Sequence, residues 1–340
     1  MQDASMSTPV PATGGAARSF DFATWWDRVG ILAVLVALTV LMALIAPNFA
    51  TVDNLLNIAR SISVSAILAA GMTFVILTAG IDLSVGSIVA VSGVVGVVGA
   101  MGGLPAVPAV LLGIVVGGAC GLANGTLVAG LALAPFIVTL GTMTFLRGLA
   151  YTITGGQPIV STTLAFKPIG NGYLAGVPIP VVVMAAVYLV AWFILERTLF
   201  GRHVYAVGGN AEAARLAGVR VKWVLTWVYV LGGACAGLAG VIFAARVISA
   251  QPTAGTGYEL DAIAAVVLGG TSLSGGRGRI HGTLIGSIIL GVLSTGLILM
   301  NVPFFTQLLI KGIVIILAVA IDSLKQRSFR FAFRRKAASA

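Results

Sequence analysis

Ionisable side chains are scarce in this chain of 340 residues, where Asp, Glu, Lys and Arg make up 9%, and five of those in or beside apolar stretches are candidates for chemistry. Arg147 lies about four turns into one stretch and Lys311 about two turns into another. A charge placed there is costly and marks either a polar path or a held structural contact. Both residues are therefore candidates to line a route for a hydroxyl-rich or anionic solute. Pairing, or snorkelling of the long stems to a water interface, is the competing reading. Asp82, Glu259 and Asp261 stand at the starts of apolar stretches, where a carboxylate suits a helix N-terminus. Capping is one role for them, and Asp82 is also a path candidate. No acid falls in the middle of a stretch, which argues against coupling to protons or sodium.

Other chemistry has no foothold. No lysine follows a glycine, so the Gly-Lys-Ser/Thr end of a phosphate-binding loop is absent. His203 and His281 are the only histidines, and neither has Cys or carboxylate at metal-ligand spacing. Gly-x-Ser-x-Gly does not occur, and Gly276-x-Gly278 lacks the third glycine of a dinucleotide fingerprint. Asn124-Gly-Thr126 matches a glycosylation sequon but sits at the end of an apolar stretch, and it is read as meaningless. Cys120 and Cys235 lie in apolar runs and read as core side chains. No enzyme activity, metal or cofactor is expected.

The elements that hold these residues are membrane helices. With 59% apolar residues the chain cannot cover itself with polar surface; a soluble domain carries about 25% charged residues. Stretches at 29–46, 61–79, 83–101, 106–129, 134–153, 177–195, 223–246, 260–273, 281–300 and 304–321 predict an all-α polytopic bundle of about ten spans. Two of them, 83–101 and 260–273, are candidates for re-entrant segments. The first stretch is too long and too late for a cleaved signal peptide. The domains follow: an N-terminal segment 1–28, a membrane domain 29–322 and a basic tail 323–340.

The net charge of +10 is topology rather than a nucleic-acid footprint. With both ends cytoplasmic, 15 of the 20 basic residues fall inside, and only Arg60, Lys167 and Arg246 fall outside, as the positive-inside rule requires. In the tail, Phe329, Phe331 and Phe333 alternate with Arg330 and Arg334, fitting an anchor on anionic lipid or a solvated positive stop.

Residues 154–176 form an outside loop, and 196–222 a basic internal one. The stretch Tyr258–Arg279 reads as a membrane hairpin, with Glu259 and Asp261 at one interface and Arg277 and Arg279 at the other. Gly80-Ile-Asp-Leu-Ser-Val-Gly86 matches Gly257-Tyr-Glu-Leu-Asp-Ala-Ile263, and Pro135-Phe136 matches Pro303-Phe304. The offset of five spans would make segments 2–5 and 7–10 an inverted repeat. Gly113-x-x-x-Gly117-x-x-x-Gly121, Gly233-x-x-x-Gly237 and Gly282-x-x-x-Gly286 predict close helix packing. In the internal loop, Asn210 is placed as an N-cap, Glu212 in a first turn and Gly218 just past the end of a helix over 211–217. So short a helix needs a partner, on its own bundle or on another protein.

Four ordered motifs carry a family resemblance: Gly80–Gly86, Pro135-Phe-Ile-Val-Thr-Leu-Gly-Thr142, Gly201-Arg-His-Val-Tyr-Ala-Val-Gly-Gly-Asn210 and Tyr258–Arg279. Over residues 30–322 the chain resembles the membrane permease subunit of bacterial ATP-binding-cassette importers for ribose-, xylose-, arabinose- and galactose-type sugars. The resemblance implies a bacterial inner-membrane protein that moves a monosaccharide by alternating access. It also implies a separate cytoplasmic ATPase, a periplasmic sugar-binding protein, and a second permease copy or close paralogue. It puts the ATPase-coupling element on Gly201, Arg202, Asn210, Glu212, Arg215 and Gly218. Arg277 and Arg279 lie on the same expected side and join that surface. Glu259 and Asp261, on the opposite side, are binding-protein docking candidates. The alternative is an ion-coupled secondary transporter of a small polar solute, which would need neither ATPase nor binding protein.

Overall fold

The structure, a computed structural model, describes residues 22–317, 319 and 320; the segment before residue 22 and the tail 323–340 lie outside them. The helices are α1 (Phe22–Ile45), α2 (Val52–Leu77), α3 (Val85–Met101), α4 (Ala106–Gly130), α5 (Pro135–Thr154), α6 (Lys167–Asn171), α7 (Ile179–Arg197), α8 (Leu199–Gly209), α9 (Ala211–Leu216), α10 (Val221–Val247), α11 (Tyr258–Leu268) and α12 (Ile280–Leu299). A further apolar helix, α13, follows at Phe304–Leu317. Every predicted apolar stretch is thus a helix. Two antiparallel pairs complete the fold. The strands β1 (Ile159–Val160) and β4 (Ser249–Ala250) join Ile159 to Ala250, while β2 (Tyr173–Leu174) and β3 (Val177–Pro178) make a hairpin.

Six helices, α2, α4, α5, α7, α10 and α12, are long and apolar enough to cross a membrane. α3, α13 and the apolar part of α1, Gly30–Ile45, are shorter. The stretch expected to run to 273 stops at Leu268, because Gly269 and Gly270, the latter at φ +82°, turn the chain. α2 and α10 occupy the centre, and α4, α5 and α7 turn apolar side chains such as Val107, Phe145 and Phe193 outwards. A helix apolar all round belongs in such a core or in lipid.

Between lipid-facing helices the hydrophobic effect contributes little, so association rests on close packing. α4 meets α10 through the small residues that the spacing picked out. A Cβ at Gly117 would lie 2.7 Å from the Gly237 Cα and collide with the Gly233 carbonyl oxygen. One helical turn further on, Gly121 lies against the Tyr229 backbone, and Gly125 lies against Thr226. The Gly282/Gly286 pair does the same for α12 against the end of α11, at Gly269 and Ala265.

Two interruptions divide long helices from shorter ones. Residues 78–84 separate α2 from α3, and residues 248–257 separate α10 from α11. Non-helical backbone inside a membrane bundle is tolerated only where protein groups satisfy it. At the second break Arg147 of α5 supplies the donors: its Nη1 reaches the carbonyls of Pro252 at 2.6 Å and Ala254 at 2.8 Å. Asn171 closes the end of α10, donating to the Ala245 carbonyl at 2.7 Å. Arg147 is therefore a structural tie, the pairing alternative rather than a snorkelling side chain.

Two outcomes test this packing. Gly117→Val will lower the thermal midpoint of the detergent-purified protein, at a cost of about 1–3 kcal/mol. Gly148→Ala, where an added Cβ has no atom within 4 Å, will leave the midpoint unchanged. Arg147→Met removes two charge-assisted bonds worth on the order of 1.5–3 kcal/mol each. It will lower the midpoint further and expose the 248–257 stretch to proteolysis; an unchanged digestion pattern would refute the tie.

Candidate functional site

Lys311 and Asp261 come together. Lys311 Nζ on α13 lies 3.1 Å from Asp261 Oδ2 on α11, with the two side chains 25% and 22% exposed. They stand in the wall of a cavity of about 190 Å³ lined by α2, α10, α11, α12 and α13. Much of the wall is hydroxyl: Ser61 and Ser65 from α2, Tyr258 from α11, and Ser287, Ser294 and Thr295 from α12. Arg246 at the end of α10 donates to Ser61 Oγ at 2.8 Å, which fixes the guanidinium at the cavity edge. The volume is below the ~300–1,000 Å³ of sites for drug-sized ligands and suits a small polar solute. Sequence spacing missed this cavity, because its hydroxyls are single Ser and Thr residues scattered over helices far apart in the chain.

Asp82 stands elsewhere. It is fully buried in the break between α2 and α3, and its Oδ1 accepts from the Ser84 backbone N–H at 2.8 Å and the Ser84 hydroxyl at 2.6 Å. Asn124 Nδ2 donates to Ser84 Oγ at 2.8 Å, and Thr142 donates to Asn124 Oδ1 at 2.7 Å. One carboxylate thus joins the start of α3 to α4 and α5. It stands just before α3, at the helix start where the sequence puts it. Asn124, dismissed as a stray sequon, is the link between helices, and only the fold reveals this.

Glu259 accepts from the Gly257 N–H at 3.2 Å, closing the first turn of α11, while its other oxygen crowds Gly86. Gly255 packs on the Gly86 backbone too, so the two stretches matched in the sequence touch in space. Of the two acids expected at this interface, Glu259 serves the helix start and Asp261 serves the cavity.

The internal loop is more ordered than a connector. Thr198 caps α8 by accepting from Gly201 N–H, and Asn210 caps α9 by accepting from the Ala213 N–H at 3.0 Å. Gly218 follows α9 at φ +86°, the left-handed position expected of it. Arg202 lies within α8, an element that the sequence reading treated as loop. On α9 Glu212 and Arg215 pair at 2.6 Å in full solvent, and the Arg215 guanidinium holds the Glu212 carboxyl below the usual carboxylate range. Such a surface pair adds little to stability. α9 buries only Ala214 and leaves Leu216 76% exposed.

α8 is the anchor. Gly208 lies against the Leu77 carbonyl oxygen at the end of α2, a contact that leaves no room for a Cβ, and the same oxygen accepts from Gly276 N–H at 2.9 Å. Tyr205 donates to the Gly278 carbonyl at 3.0 Å. The end of α2, α8 and the 269–279 turn therefore form one joint, with exposed Arg277 and Arg279 beside it.

Comparison with known proteins fits this architecture. A family model described as the branched-chain amino acid transport system / permease component matches residues 54–319. The chain is 47% identical to the ribose import permease protein RbsC of Bacillus subtilis (strain 168) over 301 residues, 88% of this chain and 94% of that one. It is 47% identical to the RbsC of Escherichia coli (strain K12) over 91% of this chain and 97% of that one. To the D-allose transport system permease protein AlsC of the same strain it is 39% identical, over 94% of this chain and 98% of the relative. No solved structure matches. A helical membrane protein matched over nearly its whole length in this way belongs to the branched-chain amino acid transport system / permease component family.

Proposed function

We propose that this chain is the membrane permease subunit of a binding-protein-dependent, ATP-driven importer of a monosaccharide in a bacterial inner membrane. The observation that carries the reading is the joint at α8 and α9. A short, capped helix with an exposed apolar tip is fixed through Gly208 and Gly276 to the ends of two membrane elements. Such an element converts a push from a partner into a shift of α2 and α11. With no phosphate-binding loop in the chain, the partner is a separate ATPase subunit. Gly201, Arg202, Asn210, Glu212, Arg215 and Gly218 form its docking element, flanked by Arg277 and Arg279. The sugar assignment rests on the relatives, whose names specify ribose import and D-allose transport.

The finer architecture belongs to the same proposal. The ten apolar helices span or partly span the membrane, with α3 and α11 as shorter pieces, both termini cytoplasmic and α9 inside. Helices α2–α5 and α10–α13 are an inverted repeat. Each half runs long helix, break, short helix, then two more; α10 packs on α3 and α4 much as α2 packs on α11 and α12. A second permease copy or close paralogue completes the pathway. The binding protein docks at the end opposite α9, where β1 and β4 pair. Because Glu259 and Asp261 are engaged inside the bundle, docking falls chiefly to the 154–176 segment rather than to those acids.

Replacing Ala211–Ala217 by a flexible linker of equal length will abolish co-purification of the ATPase while the permease still inserts; normal co-purification would overturn the assignment. Gly208→Val should have a different effect. It will leave ATPase association largely intact but reduce sugar uptake in proteoliposomes at least tenfold, because the joint no longer transmits the push. Uptake that persists without the ATPase and collapses with an ion gradient would favour the secondary-transporter alternative.

A further inference from the structure

The family description names branched-chain amino acids, whereas the similar proteins carry sugar names, so the chemistry of the cavity decides what this chain can hold. Three features of the wall bear on it. Ser294 and Thr295 present hydroxyls with no hydrogen-bond partner among the described residues, and Ser61 and Tyr258 line the same cavity. Among the described residues Asp261 is the only acid in the wall and is held by Lys311 at 3.1 Å, so an ammonium group finds no free carboxylate among them. Arg246 then leaves one positive charge in excess (two cations against one acid), which opposes cationic solutes. Hydroxyls that both donate and accept, with apolar Ile62 and Leu290 in the same wall, match the mixed O–H and C–H surface of a polyol.

We propose that this cavity is a solute-binding site for an uncharged polyhydroxylated compound, an aldose or related polyol, and that Ser294, Thr295 and the Asp261–Lys311 pair select it over amino acids and amino sugars. The proposal rests on the importer reading and deepens it. The contacts are few and shared with water, so binding is weak, as a translocation site requires if the solute is to leave again.

The test is ligand-observed saturation-transfer NMR on the purified permease in nanodiscs, with D-ribose, D-allose, L-leucine and D-glucosamine as probes. At least one of the two sugars will receive saturation, and leucine and glucosamine will not. Ser294→Leu, which fills the cavity, will abolish the sugar signal. Thr295→Val, which keeps shape and removes one hydroxyl, will weaken it roughly fivefold, the loss of about one neutral hydrogen bond. Should Ser294→Leu not fold, the Thr295→Val result decides. No signal from either sugar, an undiminished signal in these variants, or an equal signal from leucine would each overturn the proposal. Both variants will still co-purify with the ATPase, so a failure of the cavity is separable from a failure of the importer reading, which would appear as no ATPase association even in the unaltered chain.

Discussion

Two stretches of non-helical backbone inside the bundle must find their hydrogen bonds within the protein, and much of the remaining structure follows from that requirement. In lipid an unmet carbonyl or amide costs several kcal/mol, so each break needs side chains delivered from neighbouring helices. The 248–257 break is held by Arg147 and Asn171, and by β4 pairing with β1. At the 78–84 break the Asp82–Ser84–Asn124–Thr142 chain of bonds does the work. Here α5 supplies a residue to each break, Thr142 to the first and Arg147 to the second. Fixing the breaks also fixes the short helices that follow them, and with α11 comes Asp261 at the cavity wall.

Close approach of backbones complements this. Glycines along α4 and α10 let the helices meet main chain to main chain, so the bundle resists small distortions at that contact. Where α2, α11, α12 and α13 line the cavity, hydroxyls and one ion pair form much of the wall. Polar contacts of that kind exchange partners at modest cost, whereas an interlocked glycine ridge does not.

Part of this was legible in the residues themselves. Each apolar stretch holds a helix, because a long apolar run in lipid must satisfy its backbone internally. Asn210 and Gly218 bracket α9 because caps are local, set by a few neighbouring dihedrals. The glycine spacings fixed which faces approach. What spacing could not show were contacts closed over long sequence distance. Arg147 reaches residues 252 and 254, Asn124 reaches Ser84, and Lys311 reaches Asp261. Each polar residue announced that it needed a partner without saying which. α8 escaped for another reason: three glycines in Leu199–Gly209 signal a loop, and helix is imposed there by packing on the end of α2.

The Asp261–Lys311 pair carries a consequence for how such a sequence drifts. Losing either partner strands a charge in a partly buried site, which costs far more than the intact pair contributes. Neither position can therefore change alone, although 50 residues separate them. A path that changes this site one residue at a time passes through a variant that bears the unpaired charge.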